Sequence, residues 1–164
     1  MGLQAGKDGH TLYDDVSATR TEERGLSVQI CLDKQSLKPG ETIEGAFLLK
    51  NVGKGPMNVD RRLFAHGNVM MFVFNEKHQT VRYNGWNLKA CGIPPQMRTE
   101  IIRLEPGEVF GSHDIFSQVG PLSPGKYELM AFYDEGFGFG QSPLKGEFWE
   151  GHIRTNLVAF EVKA

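Results

Sequence analysis

Long apolar runs are missing from this 164-residue sequence. No stretch approaches the roughly 18 consecutive apolar residues of a spanning helix, so no membrane partner is expected. An excess of one charge is missing too. Eighteen lysines and arginines stand against 20 aspartates and glutamates, a formal charge of −2. Without a basic surplus to neutralise phosphates, nucleic-acid binding is not expected. Cysteine is scarce, with only Cys31 and Cys91, and neither has a neighbour at metal-knuckle spacing, which argues against a zinc finger or ribbon. The opening residues, Met1 to His10, lack a basic patch followed by an apolar stretch, so they do not read as a secretory signal. Gly6 stands where the myristoylation pattern wants serine or threonine. The expectation is a cytoplasmic protein, which favours two reduced thiols over one long-range disulfide. Helical periodicity is also absent, because no segment of about ten residues keeps an apolar stripe at helical spacing.

Turn residues are abundant, with 20 glycines and eight prolines. Between them lie short alternating segments. Leu26 to Asp33 alternates Leu26, Val28, Ile30 and Leu32 with Ser27, Gln29, Cys31 and Asp33, the mark of a half-buried strand. Further strands are expected over Ile43 to Asn51, Met57 to Leu63, Val69 to Phe74, Thr80 to Tyr83, Ile101 to Leu104, Val109 to Ile115, Tyr127 to Asp134 and His152 to Val162. Val69 to Phe74 is apolar on both faces, which suits a central strand covered on both sides or one under a loop. Lys38-Pro39-Gly40-Glu41 predicts a type II turn, and Glu105-Pro106-Gly107-Glu108 repeats its chemistry. Residues 1–25 are polar and of mixed charge, and read as a tail or linker with one short strand at Thr11-Leu12-Tyr13. Residues 26–164 read as one all-β domain, an antiparallel β-sandwich of seven to nine strands.

Leu122-x-Pro124-Gly125-x-Tyr127 resembles the tyrosine corner of immunoglobulin-like sandwiches, in which a tyrosine hydroxyl bonds the backbone just upstream. Lys38-Pro39-Gly40-Glu41, the run from Phe47 to the Asn-x-Gly of Asn51-Val52-Gly53 and then Pro56 resemble the opening of bacterial immunoglobulin-like domains. The order of these signals over residues 26 to 134 resembles the intracellular proteinase inhibitor family first described in bacilli, and its uncharacterised relatives. The resemblance implies an immunoglobulin-like fold and, as one function, inhibition of an intracellular serine proteinase. Every matching motif is turn or core chemistry, so no inhibitory residue carries over.

Catalytic signals are sparse. The five histidines, His10, His66, His78, His113 and His152, include no pair two or four apart, and only His113 adjoins a carboxylate, Asp114. Neighbours on a strand face opposite ways, which serves one metal poorly. There is no Gly-x-Ser-x-Gly elbow. Gly136-Phe137-Gly138-Phe139-Gly140 superficially resembles a phosphate loop, but Gln141-Ser142-Pro143 follows in place of a helix. No enzyme activity, cofactor or metal is expected.

The leading expectation is a non-catalytic protein-interaction module that uses loops at one end of the sandwich, with the proteinase inhibitor as the alternative. The candidate partner contacts are Phe137, Phe139, Phe148 and Trp149 of the long loop, and Trp86 of the irregular 84–100 segment. Aromatics supply large contact area at interfaces, although the same rings can fold back onto the sandwich end.

Overall fold

The computed structural model describes residues 12–60, 69–84, 101–113, 121–135 and 149–164. Among these residues the fold is predominantly β. One sheet contains β1 (Glu22–Glu23), β2 (Leu26–Leu32), β4 (Gly45–Asn51) and β9 (Val109–Ser112), in the order β1-β2-β4-β9. The larger sheet runs β3 (Ser36–Leu37), β12 (Val158–Val162), β10 (Gly125–Glu135), β6 (Val69–Asn75) and β7 (Thr80–Asn84). A further strand, β11 (Gly151–Arg154), pairs with the far end of β10. All pairings in both sheets are antiparallel except β3 with β12. A separate antiparallel pair joins β5 (Met57–Asp60) and β8 (Ile101–Leu104).

The alternation read along β2 holds. Leu26, Val28 and Ile30 are buried, while Gln29 and Cys31 face outward. Cys31 is a free, exposed thiol. Apolar residues of both large sheets meet in one core: Val28, Ile30, Phe47 and Leu49 from one, and Met71, Val73, Leu129 and Tyr133 from the other. The two sheets therefore pack face to face.

β6 lies between β10 and β7, as its two apolar faces suggested. Its outward residues Phe72 and Phe74 join Met130 and Phe132 of β10 in a second apolar cluster. A short helix, α1 (Leu12–Ser17), covers that cluster, with Val16 buried in it and Leu12 and Tyr13 packed alongside. This corrects the expectation of a tail over residues 1–25 with a strand at Thr11 to Tyr13. Residues 12–25 belong to the fold, as α1 and β1, and Thr11 lies outside the described residues. A six-residue helix is too short to be stable by itself, so it forms because the sheet supplies its apolar partner.

The expected strand from His152 to Val162 is interrupted, because Thr155 changes how the chain meets β10. The Thr155 amide donates to the Ala131 carbonyl at 2.8 Å, and the Ala131 amide donates to Thr155 Oγ1 at 2.9 Å. A side-chain oxygen thus takes the place of a backbone acceptor in the ladder. The next residue, Asn156, reaches the other sheet, accepting from the Ile30 amide at 2.9 Å and donating to the Ile30 carbonyl at 3.2 Å. Twelve strand segments result among the described residues, where seven to nine were expected. The surplus is this division and the two-residue strands β1 and β3.

Both Pro-Gly-Glu turns form as read. Gly40 and Gly107 have φ of 78° and 88°, the left-handed values that the third position of a type II turn needs. The glutamates have their own function in these turns. Glu41 accepts from the Lys38 amide and Glu108 from the Glu105 amide, each at 2.8 Å. Tyr127 donates to the Ser123 carbonyl at 2.7 Å, the bond expected of a tyrosine corner.

Candidate functional site

The outer face of the larger sheet carries a groove of about 690 Å³ beside α1. Strand alternation builds its floor. Tyr127 and Leu129 turn toward the core, so Lys126 and Glu128 turn outward. On β12, Phe160 and Val162 are core residues, so Ala159 and Glu161 turn outward. Register then sets the pairs: Lys126 lies opposite Glu161, Glu128 opposite Ala159, and Glu161 opposite Ser36 of β3. The small Ala159 side chain leaves space between larger polar neighbours.

One wall is the turn between β6 and β7. Asn75 fixes it by accepting the Lys77 and Gln79 amides on Oδ1, at 2.9 and 3.0 Å. The turn holds His78 at a φ of 56°, a left-handed value. The His78 ring stacks on Tyr13 of α1, with centroids 3.8 Å apart and planes within 4°. Tyr13 also meets Phe74 edge-on at 5.0 Å and donates its hydroxyl to Glu128 Oε2 at 3.0 Å. Burial first, and then the bond to the Glu128 carboxylate, hold the Tyr13 hydroxyl pKa above its ordinary value. Ser36 donates to Glu161 Oε1 at 3.2 Å. Two carboxylates on neighbouring strands are thus each held through one oxygen.

A second polar group lies on β10 and β11. His152 Nδ1 stands 3.7 Å from Asp134 Oδ2, and its ring stacks on Phe132 at 4.7 Å. Among the described residues no three histidine, cysteine, aspartate or glutamate side chains gather as metal ligands.

Of the aromatic contacts expected from sequence, Phe137, Phe139, Phe148 and Trp86 lie outside the described residues. Trp149 is described, and it sits in the core rather than on a presented surface, with 7% of its area exposed. It stacks on Tyr133 at 5.5 Å and donates Nε1 to the Glu23 carbonyl at 3.0 Å. Burial of the ring and a partner for its one polar atom account for this placement. His113 is exposed, and Asp114 lies outside the described residues. The groove residues Glu128 and Glu161, and Tyr13 bonded to Glu128, were not singled out by sequence, and His78 was weighed only as one of the five histidines. The outward alternation of β10 and β12 was legible, but the register that brings these strands together was not.

No family model matches the chain, and no curated protein matches it. Similar solved structures exist at low identity. The chain is similar to the sporulation control protein Spo0M of Bacillus subtilis, with a TM-score of 0.42 and 14% identity, over 85% of this chain and 50% of that one. It thus spans about half the length of Spo0M. It is also similar to the C-terminal domain of wzt, with a TM-score of 0.46 and 13% identity, over 87% of this chain and 75% of that one. A CARDB domain from Pyrococcus furiosus, solved with di-metal ions, gives a TM-score of 0.39 and 15% identity, over 84% of this chain and 92% of that one. Likeness at this level transfers no role. Among the described residues no helix is long and apolar enough to cross a membrane.

Proposed function

We propose that this chain is a non-catalytic binding module, an immunoglobulin-like sandwich that serves as a rigid frame for recognition of a protein partner. Two features support the immunoglobulin-like reading. β2 and β3, neighbours in sequence, join different sheets, and Tyr127 bonds back to the chain just ahead of β10. The observation that carries the binding reading is the groove. Its volume of about 690 Å³ falls within the range of ligand sites, and its floor is built on strands rather than on loops.

The test compares capture of binding species by the intact chain and by Ala159→Trp, which fills the groove floor. Matched melting temperatures and circular dichroism establish that both are folded. A species retained by the intact chain and lost by the variant is the expected result. Equal retention by both overturns the groove as the site. A variant lacking residues 136–148, which spares the core residue Trp149, run in parallel, tests Phe137, Phe139 and Phe148 as the contact instead.

A further inference from the structure

The groove is unbalanced in charge. Glu76, Glu128 and Glu161 border it against one lysine, Lys126. Glu128 and Glu161 are half-buried, and each is fixed through one oxygen, by Tyr13 and Ser36 respectively. Among the described residues the second oxygen of each makes no hydrogen bond. A carboxylate held at one oxygen has lost its freedom before any ligand arrives, so binding costs it less entropy. Glu128 and Glu161 are diagonal neighbours on the two strands, Glu128 facing Ala159 and Glu161 facing Lys126. Lys126 lies opposite Glu161 in register, yet the two form no ion pair within 4.0 Å. Beside the two carboxylates, the exposed Ala159, opposite Glu128 and two residues before Glu161, leaves space on the groove floor.

We infer that this space takes the cationic head of a lysine or arginine side chain, presented by a basic segment of a partner protein. The inference rests on the binding reading above and adds the chemistry of the ligand. The head group sits between Glu128 and Glu161 and donates to the oxygens that Tyr13 and Ser36 leave available. The stem of the side chain lies over Ala159, and the partner backbone continues along the groove past the His78 turn.

The probe is the blocked peptide Gly-Lys-Gly-Arg-Gly, titrated into the uniformly labelled full chain at low ionic strength and followed by amide chemical shifts. Gly-Glu-Gly-Glu-Gly is the control. Saturable shifts around Lys126, Glu128 and Glu161 are expected with the basic peptide alone. Glu161→Gln and Glu128→Gln each weaken binding roughly tenfold, the effect of losing one charge-assisted hydrogen bond. Lys126→Ala tightens binding, and Ala159→Trp abolishes it. Tyr13→Phe keeps the Glu128 charge but releases the carboxylate that the hydroxyl fixes, so binding weakens by less than in Glu128→Gln. If Glu128→Gln disturbs the fold through α1, the Glu161 and Lys126 variants carry the test. No saturable shift, equal response to the acidic peptide, or shifts that survive Ala159→Trp overturn the assignment. If Ala159→Trp removes a captured partner while basic peptides fail to bind, the binding module stands and the cationic ligand falls.

Discussion

Asn51 accounts for the Asn-x-Gly signal. It is fully buried at the end of β4, where its side-chain amide donates to the carbonyls of Gly55 and Leu104, both at 2.9 Å, and accepts from the Gly53 amide at 2.9 Å. Its backbone meets the second Pro-Gly-Glu turn at Glu108 and Gly107. Asn51→Leu leaves these groups without their partner, the Leu104 carbonyl in a site closed to water. The expected loss is about 3 kcal/mol by urea denaturation. Tyr13 gives a pH-dependent effect. Its hydroxyl pKa is raised in the folded chain, so the fold favours the neutral form. That contribution is complete below the unfolded phenol value of about 10 and is lost as pH rises through the higher folded value. Urea midpoints measured across alkaline pH will fall more steeply for the natural chain than for Tyr13→Phe, which lacks the titrating group. Equal slopes would refute the raised Tyr13 value. Asn-x-Gly was visible in the sequence, but its partners were not. Leu104 and Glu108 lie far along the chain, and only the fold brings them to Asn51.

At the scale of elements, α1 and the divided final strand differ most from a reading by periodicity. α1 has one buried residue, Val16, and its apolar partners sit on β6 and β10. Val16→Asp places a charge among Phe72, Phe74, Met130 and Phe132. A loss of about 3 kcal/mol is expected, with increased binding of a hydrophobic dye as the cluster opens. An unchanged melting temperature would show that the helix contributes no cover. At the other end, Thr155→Val keeps the shape but removes the acceptor for the Ala131 amide. The expected cost is about 2 kcal/mol, read from the urea midpoint. Period-2 alternation made β2 and β10 legible, and β6 was legible as a short run apolar on both faces. It did not reveal α1, whose helicity depends on tertiary contact. Nor did it reveal the break at Thr155, where one hydroxyl replaces a backbone group without disturbing the apolar pattern enough to be noticed.

Across the whole molecule, the two sheets meet through apolar packing, and turn chemistry sets where each strand ends. The Pro-Gly-Glu turns, the tyrosine corner and the alternation together implied a β fold of packed sheets. The groove was hidden because it depends on the register of β3, β12 and β10, which joins Ser36 to Glu161 and Lys126 to that same Glu161. The Asn156 side chain, between β11 and β12, links the two sheets by holding both backbone groups of Ile30. That link makes a single amide a reporter on separation of the layers. The Ile30 N–H cannot exchange with deuterium by fraying of β2 from β4, because its acceptor belongs to the opposite sheet. Its exchange rate in the intact chain will therefore track the opening of the sandwich as a unit, and in Asn156→Ala it will rise to follow local motion of β2 alone.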